Sequence, residues 1–226
     1  MYETILNKSN TQLVQKEECE TLECVRLMNS MNFIANHLKT AMKKLDKECV
    51  TKIIDEILKA DKIFVMGAGR SGLVAKAFAM RLMHLGFNVY VIGETITPAA
   101  NKKDVVIAIS GSGETTSMVS LGKVTKEIGS KLITITSNKD STLGKLSDNT
   151  MIIYTKDGRS ESDYEYSSTG GGYLERHLRG EYTKLAPLGT IFEITSLVVL
   201  DALIAELMYR TGKSEDDLIL HHTKHE

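Results

Sequence analysis

Apolar positions change their period as the chain runs. From about 18 to 45, Leu22, Val25, Met28, Met31, Ile34, Leu38, Met42 and Leu45 recur every three or four residues, which predicts a helix with one apolar face. A second helix is expected over Val50–Lys59. The pattern then switches to short, nearly continuous β-branched runs: Ile63–Met66, Val89–Ile92, Val105–Ile109, Leu132–Thr136 and Met151–Tyr154. Such runs fit strands covered on both faces. Helical stretches lie between them: Leu73–Leu85 before Gly86, Thr115–Ile128 before Gly129, and a short one near Ser141–Leu146. Glycine just past the last turn is a common helix stop. Strands alternating with helices predict the α/β class, a five-stranded parallel sheet sandwiched by helices in the flavodoxin-like manner. A polar stretch at about 156–184 precedes an apolar helix over Thr190–Tyr209 and a short one over Ser214–His222.

Charge and composition narrow the function. With 28 basic against 29 acidic residues in 226, the net charge is −1, so the basic excess of a nucleic-acid binder is missing. There is no Trp and aromatics are 6%, a poor basis for base stacking. No apolar run approaches the roughly 20 residues that cross a bilayer, and residues 1–16 have no signal-peptide core. Three cysteines, Cys19, Cys24 and Cys49, fit no zinc or redox spacing. A cytoplasmic protein is expected, acting on a small molecule, with no nucleic-acid or membrane partner.

Two strand ends hold candidate chemistry. Gly67-Ala68-Gly69-Arg70-Ser71-Gly72 follows the first strand and matches G-x-G-x-x-G, and Glu94 ends the next strand. Alone, this admits a dinucleotide site or mere tight packing. The third strand runs into Ser110-Gly111-Ser112-Gly113-Glu114-Thr115-Thr116. Backbone N–H groups at a helix start carry partial positive charge, and Ser and Thr hydroxyls can donate to an anion beside them. One hydroxyl is explained by N-capping, with Ser112 as the natural cap; three are not. A phosphate site is the expectation, and Glu114 must then turn its charge away from the anion. Near the C-terminus, Thr190-x-x-Glu193 reads as a capping box. His221, His222 and His225 have no metal-ligand spacing, and neither metal nor cofactor is expected.

Together these stretches, with Phe78–Phe87 and Gly93-Glu94-Thr95-Ile96-Thr97-Pro98, resemble the sugar isomerase (SIS) domain and, more narrowly, the 6-phospho-3-hexuloisomerase family. The resemblance implies residues 1–48 as a helical extension and 49–226 as the SIS domain, with an insertion at about 156–184. It implies an isomerase passing 3-hexulose 6-phosphate to fructose 6-phosphate through an enediol, without cofactor, as a homotetramer. Carried onto this sequence, Gly67, Arg70, Ser71, Ser110, Gly111, Ser112, Gly113, Glu114 and Thr115 bind the substrate. In the block Pro187–Glu193, Glu193 becomes the catalytic base, and His222 a second catalytic group that enters an adjacent subunit's site. The insertion and the polar N-terminal stretch depart from the family and leave the sugar open. Alternatives are another SIS isomerase, such as one for a pentose phosphate, a non-catalytic sugar-phosphate sensor, or a nicotinamide enzyme.

Overall fold

The computed structural model describes residues 24–155 and 189–221. Two helices open it, α1 (Val25–Lys44) and α2 (Lys47–Lys59). There follow β1 (Ile63–Gly67), α3 (Arg70–His84), β2 (Val89–Val91), β3 (Val105–Ile109), α4 (Thr116–Ile128), β4 (Lys131–Thr136), α5 (Thr142–Leu146) and β5 (Asn149–Ile152). After residue 188 come α6 (Thr190–Thr211) and α7 (Glu215–His221).

The five strands are parallel, in the order β2-β1-β3-β4-β5. Strand order reverses between β1 and β3, whose registers join Ile63 to Val105 and Gly67 to Ile109. In such sheets ligands bind beyond the carboxyl ends of the strands at the reversal. This is the expected α/β sandwich. The strand period of two divides the core. Ile63, Val65, Val105, Ile107 and Ile133 meet Ile53, Ile54 and Ile57 of α2, Phe78 and Leu82 of α3, and Leu200, Leu203 and Leu207 of α6. Phe64, Met66, Val106, Ala108 and Leu132 meet Met118 of α4 and Leu143 of α5 on the other face.

Boundaries differ from the sequence pattern where a polar contact decides them. α2 begins at Lys47 rather than Val50 because Asp46 caps it, Oδ1 accepting from the Glu48 and Cys49 N–H groups. α3 begins at Arg70 rather than Leu73, so Arg70, Ser71 and Gly72 form its first turn. β2 and β5 are edge strands, only partly buried, not covered on both faces as their composition implied.

α1 is fastened at a point no periodicity marks. His37 is buried, its Nε2 lies 2.8 Å from the Tyr154 carbonyl, and its ring stacks on Tyr154 with centroids 6.0 Å apart. On α7, Leu218 packs against the chain's own core while Ile219 is exposed. Among the described residues no helix is long and apolar enough to cross a membrane.

Candidate active site

The β1–α3 turn brings a helix start hard against its strand. A Cβ on Gly67 would fall 2.7 Å from the Ser71 carbonyl oxygen, and one on Gly72 2.8 Å from the Gly67 oxygen. Those two glycines are explained by packing alone. Arg70 and Ser71, the first residues of α3, stand at the mouth: Arg70 is about half exposed (53%) and Ser71 is buried. Glu94, the acid a nicotinamide reading would need, pairs instead with Lys76 of α3 at 2.6 Å.

The β3–α4 turn is held from beneath by β4. The Gly111 carbonyl accepts from the Ser137 N–H (3.0 Å), Ser137 Oγ (2.7 Å) and Thr136 Oγ1 (3.1 Å). Ser110 is buried and its Oγ accepts from the Gly113 N–H at 3.2 Å. Ser112 Oγ accepts from the Glu114 N–H at 3.2 Å. Both hydroxyls act as acceptors here, and a hydroxyl that accepts keeps an O–H that can donate. Ser112 is not the helix cap. That position is Thr115, whose side chain makes no capping bond. Glu114 meets the condition set for it: its two oxygens take the Thr142 N–H and Oγ1, each at 2.7 Å, so its charge serves the start of α5.

α6 closes over both turns. A Cβ on Gly111 would lie 3.1 Å from the Phe192 ring, and Glu193, the next residue, reaches the first turn. Its Oε1 lies 3.5 Å from Ser71 Oγ and its Oε2 3.7 Å from Arg70 Nε. The expected capping box does not form. The N-cap is Gly189, Thr190 is already helical, and among the described residues no side chain caps α6. A Cβ on Gly189 would sit 2.9 Å from Glu193 Oε2, so a bare glycine makes room for the carboxylate. Glu193 is buried. Burial pushes its carboxyl above the ordinary carboxylate value, against the opposing pull of its own backbone N–H, Arg70 and Ser71.

Among the described residues α3, α4 and α6 start at this place with no side-chain cap, as α1 does away from it. By contrast α2 and α5 are capped by Asp46 and Ser141. Uncapped first turns present N–H groups and partial positive charge. Beside them stand a carboxylate with a raised pKa and one guanidinium. The set can hold an anion and move a proton at a carbon nearby.

The chain as a whole is similar to known proteins. The SIS domain family matches residues 56–162. An uncharacterized protein of Archaeoglobus fulgidus is 43% identical over 87% of this chain and 98% of its own length. The 3-hexulose-6-phosphate isomerase of Bacillus subtilis is 36% identical over 84% of this chain and 93% of its own. The chain belongs to the SIS-domain family of 3-hexulose-6-phosphate isomerases. The solved structure of a Methanococcus jannaschii hypothetical protein, for which a molecular function of 3-hexulose-6-phosphate isomerase was inferred, is similar with TM-score 0.70 at 34% identity, over 88% of this chain and 99% of that one.

For a family member, the expected residues divide as follows. Arg70, Ser71 and Glu193 come together, and Gly111 meets α6 through Phe192. Ser110, Ser112, Gly113 and Thr115 line the neighbouring turn. Glu114 is engaged within the fold, its N–H by Ser112 Oγ and its carboxylate by Thr142. His222 and the stretch 156–184 lie outside the described residues. The supports from Thr136, Ser137 and Thr142 were not foreseen. Their signal in the sequence is only a hydroxyl run after the fourth strand.

Proposed function

We propose that the chain interconverts 3-hexulose 6-phosphate and fructose 6-phosphate, with Glu193 as base. The observation that carries this reading is the buried Glu193 carboxylate, which faces Arg70 and Ser71 of the first turn while Phe192 beside it packs on Gly111 of the second. Its setting is a chain 36% identical to a 3-hexulose-6-phosphate isomerase along most of its length. The phosphate rests on Ser110, Ser112 and Thr115 and on the first-turn N–H groups of α4, which can each add a charge-assisted bond of roughly 1.5–3 kcal/mol. Glu193 removes the proton from C2, giving the 2,3-enediol, and returns it to C3. The C2 hydroxyl becomes the carbonyl and the C3 carbonyl the hydroxyl, so nothing is gained or lost overall. Arg70 offsets the negative charge that develops on the oxygens. His222 is the second group proposed to move protons between those oxygens.

The test is an assay coupled to fructose 6-phosphate formation, run beside a pentose phosphate. Turnover of the hexulose phosphate is expected. Turnover of the pentose phosphate alone would move the chain to another sugar. Ser112→Ala and Thr115→Ala should each raise KM about tenfold with a smaller change in kcat. An unchanged KM in both would take the phosphate off this loop.

We infer a cytosolic homo-oligomer. Free thiols at Cys24 and Cys49 suit a reducing compartment. Exposed Leu27, Met28, Met31 and Met42 on α1, with Leu73, Met80 and Met83 on α3, leave apolar surface that a second copy would cover. Light scattering at micromolar concentration should give a multiple of 25.0 kDa; a monomer rejects the inference.

A further inference from the structure

Glu193 has two oxygens, and the structure treats them differently. Oε1 faces a hydroxyl: Ser71 Oγ, buried on the first turn of α3, lies 3.5 Å away. Oε2 is buried and has no hydrogen-bond partner among the described residues. Its nearest cation there is Arg70, at 3.7 Å, too long for a hydrogen bond. A buried polar atom without a partner is costly and calls for an explanation. Here the explanation is chemical. An oxygen that is to accept a proton from carbon must not be saturated by donors, whereas its twin can be held to fix the plane of the carboxylate.

We propose that Ser71 is a positioning residue: it holds Oε1 of Glu193 and so leaves Oε2 as the oxygen that takes the substrate proton. This rests on Glu193 being the base, and it gives Ser71 a different task from the substrate-binding role that the family resemblance implied. The assignment follows from how the two turns are built. Ser71 lies at the second position of α3, and the close approach of Gly67 to the Ser71 carbonyl fixes that turn against β1. The hydroxyl is therefore presented from a rigid support. Glu193 is held from its own side by the bare Gly189. Apo catalytic hydrogen bonds are commonly long and tighten when substrate binds, which fits a separation of 3.5 Å.

A donor to Oε1 favours the charged carboxylate, so Ser71 also sets the pH at which the base is ready. Among the described residues Arg70 is the one cation within 4.0 Å of this carboxylate. Two charged side chains of the neighbouring turns are engaged elsewhere, Glu114 with Thr142 and Lys76 with Glu94. Removal of the Ser71 hydroxyl therefore has a readable consequence in the pH profile.

The experiment measures kcat and KM across pH for the parent enzyme, Ser71→Ala, Ser71→Thr and Glu193→Gln. In Ser71→Ala, kcat should fall about tenfold through loss of orientation. The acidic limb of its profile should move up by about half a pH unit or more, with KM within about twofold of the parent. Ser71→Thr, which keeps the hydroxyl, should restore the position of the limb. A raised KM with an unmoved limb would make Ser71 a phosphate ligand and overturn the proposal, as would a Ser71→Ala enzyme equal to the parent. Parent-like activity in Glu193→Gln would remove the base reading itself, and that failure shows in a different variant.

Discussion

Glu193→Gln should lower kcat by about 10²-fold or more, the scale on which a general base acts, while the protein melts at or above the parent temperature at neutral pH. The two halves share one cause. Glu193 is buried, and burial raises its pKa above the ordinary 4.5 despite the opposing pull of its own N–H, Arg70 and Ser71. A carboxyl whose folded pKa is raised favours the fold most below its unfolded pKa, and that contribution is lost as pH rises through the folded value. At neutral pH the ionised Glu193 therefore costs stability, and an uncharged amide of the same shape does not. The gain of the Gln variant over the parent should vanish below pH 4.5, where the parent carboxyl is also neutral. Activity follows the opposite sense. The base works only when ionised, so parental turnover should fall as pH drops through a value above 4.5. Differential scanning calorimetry and a pH–rate profile read both effects. A sharp fall in melting temperature with activity per folded molecule intact would reduce Glu193 to a packing residue.

The inner strands and their helices were legible because one force dominates there. Ile63–Gly67, Val105–Ile109 and Lys131–Thr136 are hydrogen-bonded on both sides and packed on both faces, so an apolar run suffices to mark them. At β5 only one neighbour pairs, and Asn149 and Thr150 join the strand through β4 rather than through hydrophobicity. That shifts the element two residues ahead of the apolar run Met151–Tyr154. The site was legible as residue types and less so as geometry. The sequence Gly-Thr-Ile-Phe-Glu suits either a Thr190 capping box or a Gly189 cap, and the choice is made by Ser71, 122 residues away, and by Arg70. Glu114 looked ill-placed in an anion loop until Thr142, 28 residues on, took its charge. His37 gave no signal because its partner, the Tyr154 carbonyl, lies 117 residues off. Local pattern reports burial; it does not report which distant donor a polar group will find.

The largest combined effect on stability and binding should come from Gly113→Ala. Gly113 has φ +68, a conformation that costs an L side chain about 1–2 kcal/mol. A Cβ there would also lie 2.5 Å from Ser141 Cβ and 3.2 Å from Thr136 Oγ1. Neither neighbour can give way. Ser141 is buried and its Oγ caps α5 by accepting from the Gly144 N–H at 3.1 Å. Thr136 Oγ1 donates to the Gly111 carbonyl at 3.1 Å. The loop cannot retreat either, since the Gly113 carbonyl accepts from the Leu143 N–H at 3.1 Å and its N–H is held by Ser110. Relief must come from breaking some of these bonds, all within the turn proposed to hold phosphate. Denaturant unfolding should show a loss of about 2–4 kcal/mol, the range of strain plus overpacking. At a temperature where the variant is folded, KM should still be raised about tenfold or more, because the turn that carries Ser110 and Ser112 is displaced. Gly129→Ala is the control. It has φ +85 at the far end of α4, and its nearest neighbour is Lys102 Cβ at 3.7 Å. It should show the conformational cost alone and a parental KM. A parental KM in Gly113→Ala as well would place the phosphate somewhere other than this turn.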